Sequence, residues 1–175
     1  MDNLLQSVQA VLSSTPSRWL SMTETFPVEL LTRAPAPKEW SALACLQHLL
    51  DTEEMVFPVR LQCFLEGRDF EAFDPDAQGT VSNPSQSPAD IATRFAQCRT
   101  ASLELLKEVR PKDFSRTARH AVLGVVTLAE MLHEWAGHDL MHTVQAERAL
   151  MQPFIDGCGP WRFYFADHEI KQRDA

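Results

Sequence analysis

No two of the chain's four cysteines form a CxxC pair; they stand apart at positions 45, 63, 98 and 158. That spacing gives no basis for a zinc ribbon or a thioredoxin-type redox centre. Four thiols in 175 residues are also too sparse for a secreted disulfide scaffold, so buried free thiols in a reducing compartment are expected. Basic charge is scarce as well: 16 Lys and Arg stand against 24 Asp and Glu, for a formal net charge of -8. A protein that grips nucleic-acid phosphates needs a basic face, and docking on anionic lipid needs cationic segments. Neither nucleic acid nor a membrane is an expected partner. No apolar run approaches the roughly 20 residues of a membrane-spanning helix. The opening MDNLLQSVQAVLSS lacks the basic segment of a secretory signal, so a cytoplasmic location is expected. No stretch sustains the alternation of a half-buried strand, and there is no internal repeat or low-complexity segment.

What the chain does have is helical periodicity, at a length that suits one domain, 1–175, with a sizeable core. Leu4, Leu5, Val8, Val11 and Leu12 line one face of a helix over about 3–13. Pro16 interrupts it, and Thr15-Pro16 can cap a restarted helix that runs toward Thr25. Pro27, Pro35 and Pro37 mark a connector with room for one helical turn at 28–31. Ser41 is a good N-cap for a second long helix carrying Leu43, Leu46, Leu49, Leu50, Met55 and Phe57. Pro58 should kink it, and Gly67 should stop it. A long loop is expected over about 68–87. Ser87-Pro88-Ala89-Asp90 then starts a third helix that Pro111 ends. After a connector holding Phe114, His120 and Gly124, the capping box Thr127-Leu-Ala-Glu130 opens a fourth helix. It is expected to run to about Met151, before Pro153. Trp161, Phe163, Tyr164 and Phe165 are expected to pack the tail, 152–175, back onto a bundle spanning about 3–151. The fold class is all-α: a four-helix bundle with irregular connectors.

The informative stretch is His133-Glu-Trp-Ala-Gly-His138-Asp139-Leu-Met-His142. His138 and His142 are four residues apart, so they leave one helix face a turn apart, as two imidazole ligands of one ion would. A third ligand must come from a facing helix, and the second helix offers His48 among Leu46, Leu49 and Leu50. An HxxxH pair also arises by chance on surface helices, and a core histidine is usually only hydrogen-bonded. His133 points away from the shared stripe. His120, in a connector, reads as a pocket-rim residue.

Trp40-Ser41, then His48-Leu-Leu-Asp51-Thr-Glu53, resembles the first motif of the DinB/YfiT-like family. His120-Ala-Val-Leu-Gly124-Val-Val-Thr127-Leu-Ala-Glu130 resembles that family's segment leading into the last bundle helix. His138-Asp139-Leu-Met-His142 resembles its HDxxH motif. The three blocks also match in order and separation, across about 4–149. The resemblance implies a four-helix bundle with a divalent metal held by His48, His138 and His142 at one end of the core. Zinc and nickel both suit three imidazoles, which leave a coordination position open. It further implies a metal-dependent enzyme acting on a small molecule. A thiol-dependent S-transferase or isomerase using a low-molecular-weight thiol is one form of that activity. The alternatives are a metal-dependent hydrolase and a non-catalytic, stress-associated metal-binding bundle. Pairing into a homodimer through helix faces is a further expectation.

Asp139 is a candidate to orient an imidazole, or to sit in an ion pair on the helix surface. Asp51, three residues from His48, could face the pocket as a second helper carboxylate. Glu53 and Glu54 read as a solvated face. Arg60 could bind an anionic substrate, with a surface salt bridge as the blander reading. Met131, Trp135 and Met141 read as core or pocket wall. Cys45 reads as buried filler, with oxidation sensing a minor option.

Overall fold

The computed structural model describes residues 3–70 and 86–170. In chain order the elements are α1 (Leu4–Thr25), a single turn α2 (Val28–Thr32), α3 (Ala42–Met55), α4 (Phe57–Glu66), α5 (Pro88–Leu106), β1 (Thr117–His120), β2 (Gly124–Thr127) and α6 (Leu128–Gly157). Short 3-10 turns follow α5 at Pro111–Asp113 and α6 at Gly159–Phe165. Both α1 and α3 pack on α5 and α6, so α1 and α3 stand diagonally across a four-helix bundle. Among the described residues no helix is long and apolar enough to cross a membrane. Most of the long loop expected over 68–87 lies outside the described residues.

The helix starts follow local chemistry. The Ser41 hydroxyl accepts from the Ala44 N–H at 3.1 Å. Ser87 with Asp90, and Thr127 with Glu130, close reciprocal capping boxes. Gly67, at φ 70, ends α4 in the left-handed conformation that glycine adopts without strain.

The prolines behave less simply. α1 runs unbroken through Pro16, where a stop and restart were expected. A proline cannot donate to the carbonyl four residues back. That carbonyl, Leu12 O, instead accepts from Arg99 Nη1 at 3.0 Å. Near Pro58 the helix is interrupted for one residue, Val56 (φ -116, ψ -73), and the proline occupies the first turn of α4. α6 passes Pro153 and ends at Gly157 rather than near Met151; Ile155, 1 % exposed, anchors its last turn in the core.

Two expectations are overturned. The connector before α6 contains a two-stranded antiparallel hairpin, with Thr117 opposite Thr127 and His120 opposite Gly124. Strands of four residues are too short for alternation to stand out, and this one is held by its turn: Gly124 takes φ 78. The tail is held to α6, but not by most of its aromatics: Trp161, Phe163 and Tyr164 are 65, 81 and 76 % exposed. Gln152 does the holding, donating to His168 O and accepting from Ile170 N, each at 3.0 Å.

The core consists of two apolar clusters. One contains Leu12, Phe57, Phe64, Leu106 and Trp135; the other contains Trp19, Leu46, Leu49, Phe95 and Ala146. Between them along the helices lies a buried polar layer: Thr15 on α1, Thr52 and Glu53 on α3, Arg99 and Ser102 on α5, and Asp139, His142 and Thr143 on α6.

Candidate metal centre

His138 and His142 leave α6 one turn apart, and His48 meets them from α3. One ligand-capable atom from each lies within 4.8 Å of the other two. The ring centroids are 4.4, 4.6 and 5.1 Å apart, and His48 Nε2 is 3.1 Å from His138 Nε2. Two imidazole nitrogens bound tetrahedrally at about 2.0–2.1 Å from an ion stand about 3.4 Å apart. On α6 the ligands fall between the residues of the two apolar clusters, and on α3 His48 sits among Leu46, Leu49 and Leu50 of the second.

The surroundings set the chemistry of the rings. Burial, followed by the neighbouring His142 and His48 and the charges of Arg99 and Arg60, pushes His138 down to about 3. Burial and His48 push His142 down to about 4, against a hydrogen bond to Gln145. Both rings are therefore neutral near pH 7, the form that ligates cations. His142 Nδ1 bonds to Gln145 Oε1 at 2.9 Å, which puts the proton on Nδ1 and the lone pair on Nε2. His138 Nδ1 is buried without a hydrogen-bond partner among the described residues. Three nitrogen donors converging on one point, two of them on neutral rings, fit a borderline-soft divalent ion.

Aromatic rings enclose the cluster. Trp40 stacks on His142 at 5.5 Å and lies 4.9 Å from His48, and Phe57 sets an edge-on contact with His138 at 5.1 Å. A groove of about 770 Å³, lined by Gly137, Met141, Gln145 and Arg148 of α6, runs along the flank from which Gln145 reaches His142.

The other sequence candidates fall in different places. Asp139 is 1 % exposed, and both its oxygens are held by Arg99. Asp51 Oδ1 accepts from Gln47 Nε2 at 2.8 Å. Glu53, expected on a solvated face, is 1 % exposed and accepts from Arg99 Nη2 at 2.8 Å, because α3 turns it into the polar layer. Glu54 does face outward, paired with Arg94 at 2.5 Å. Arg60 is half-buried, with its guanidinium 5.3 Å above the Phe70 ring and 3.1 Å from His120 Nε2; it makes no salt bridge among the described residues. Cys45, Met131 and Trp135 are core, Met141 is 55 % exposed and His133 is exposed. Gln145, Arg99 and the packing of Trp40 over the rings are additions that the tertiary structure makes to the site. Only Gln145, three residues from His142, carried a local signal.

The family model described as the DinB superfamily matches residues 12–146. No curated protein matches the chain. A solved structure with the same fold is YfiT from Bacillus subtilis, described as a probable metal-dependent hydrolase with an unusual four-helix bundle topology. It is 17 % identical, with a TM-score of 0.74 over 86 % of this chain and 87 % of that one.

Proposed function

Because the chain belongs to the DinB superfamily, we propose that His48, His138 and His142 hold a divalent metal ion, zinc or nickel, and that the protein is a metal-dependent enzyme acting on a small molecule. The observation that carries this reading is the convergence of three ligand nitrogens within 4.8 Å, two of them on rings kept neutral by burial. When bound, a divalent ion makes a water molecule or a small thiol acidic enough to act as a nucleophile near neutral pH. Three protein ligands leave at least one position for that nucleophile or for substrate. Gln145 fixes the tautomer of His142, Trp40 and Phe57 limit water around the rings, and the groove beside Gln145 offers a small molecule a way in.

Hydrolysis is the first form of the activity, by analogy with the description of YfiT. Thiol transfer or isomerisation is the second. The observation favouring it is that Glu53 and Asp139 are committed to Arg99. A thiolate needs no general base once formed, and Cys45, wholly buried, does not supply it.

Elemental analysis of untagged protein tests the metal: about one ion per chain is expected, and none in His138→Ala. Ester and amide turnover by loaded protein, absent in that variant, supports hydrolysis. A thiolate-to-metal absorption band from the cobalt-loaded protein with a panel of small thiols supports the transferase. A wild-type chain that retains no divalent ion overturns both.

A further inference from the structure

A second cavity, of about 320 Å³, lies between α4, the hairpin and the first turns of α6. Met131 and Glu134 line it, about two turns and one turn before His138 on the same helix. The cavity therefore lies within about 10 Å of the histidine cluster along the helix axis. Phe70, Leu123 and Val126 complete an apolar wall. Its size suits a small molecule, at the low end of ordinary ligand pockets.

Its polar end is built from Arg60 and His120. The Val122 and Leu123 N–H groups donate to His120 Nδ1 at 3.1 and 3.3 Å. Nδ1 is therefore the acceptor, and the ring proton sits on Nε2. Nε2 lies 3.1 Å from Arg60 Nη2, a nitrogen that can only donate. Two N–H donors thus converge with no acceptor between them among the described residues. Arg60 lies over Phe70 at 5.3 Å and forms no salt bridge among the described residues. Glu134 lies on the same wall and acts on Arg60 through its charge. The Glu130 carboxylate is engaged by the Thr127 N–H and hydroxyl, both at 2.7 Å.

We propose that Arg60 and His120 clamp the carboxylate of a small substrate with an apolar body, which lies along Phe70 and Met131. One carboxylate oxygen placed against the two donors satisfies both, and the guanidinium, whose other N–H groups have no hydrogen-bond partner among the described residues, can take the second oxygen. That the reacting end of the substrate points toward His138 rests on the metal reading above; the clamp itself does not.

The test uses metal-free, full-length protein, with benzoate as the probe and benzamide as a neutral control of similar shape. Benzoate is expected to bind and to shift the NMR signals of the Arg60 side-chain N–H and of the Val122 and Leu123 amides. Benzamide, Arg60→Gln and His120→Gln are each expected to weaken binding by about tenfold or more. Glu134→Gln is expected to tighten it, since a competing carboxylate is removed. His138→Ala is expected to keep benzoate binding while losing any bound metal, so a failed metal reading leaves the clamp standing and a failed clamp leaves the metal. The proposal is overturned by folded wild-type protein that ignores millimolar benzoate, by an Arg60→Gln variant that binds it unchanged, or by inorganic phosphate binding where benzoate does not.

Discussion

Arg99 grips Asp139 through both ends of its guanidinium, Nη1 to Oδ2 at 2.6 Å and Nη2 to Oδ1 at 3.0 Å, with both side chains 1 % exposed. The same guanidinium reaches Glu53 on α3 and Leu12 O on α1. One side chain of α5 thus ties all the bundle's helical faces together beside the histidines. Removing the cation leaves two buried carboxylates uncompensated. Arg99→Met should lower the free energy of unfolding by about 3–5 kcal/mol, read from urea titration. An unchanged midpoint would contradict this account of the layer.

Replacing any one of His48, His138 or His142 by alanine should abolish metal retention while leaving the helical circular dichroism signal intact. Two apolar clusters that contain none of the ligands hold the bundle. In the wild type, added zinc or nickel should raise the melting temperature, because an ion that binds only the folded state stabilises it by mass action. Melting curves and metal content measured on the same samples check both points.

Gln145 orients His142 through its side-chain carbonyl. Partners of this kind typically contribute 10–100-fold in metal affinity. Gln145→Leu should therefore bind metal about 10–100-fold more weakly at unchanged stoichiometry. Competition with a chelator of known affinity gives the answer; equal affinity would remove Gln145 from the site.

In the metal-free protein His138 and His142 are held down to about 3 and about 4, from an ordinary 6.5. As pH falls below about 6.5, the unfolded chain takes up these protons while the folded one does not. Stability should therefore decline steadily from about pH 6.5 toward the depressed folded values, and be fully present above that window. The decline should be shallower in His138→Phe. Denaturant midpoints measured across the range would show it.

Cys45 is fully buried, and desolvation pushes its thiol up to about 12. It should resist alkylation by iodoacetamide at pH 8 in the native protein and react once the chain is unfolded in urea. Mass mapping distinguishes it from the half-buried Cys98 and Cys158. Rapid native modification would restore an oxidation-sensing role.

Features that depend on residues within a turn or two were readable in advance. Ser41, Ser87 and Thr127 start their helices as expected, and Gly67 ends α4. The spacing of His138 and His142 places both on one face, and apolar neighbours turned His48 inward. Where sequence rules misled, a distant group had intervened. Pro16 spares α1 because Arg99 is available for Leu12 O, and Glu53 is buried because the same arginine faces it.

By itself the sequence determined the helices, their caps, the bundle class and the candidate ligands, because periodicity and capping act over a few bonds along the chain. Tertiary structure alone decided the Arg99 layer, the donor pair at Arg60 and His120, and the exposed tail aromatics. The first two depend on partners 40, 46, 60 and 87 residues apart. Whether a charge is solvated or buried against another depends on which helices pack together, and no local pattern encodes that.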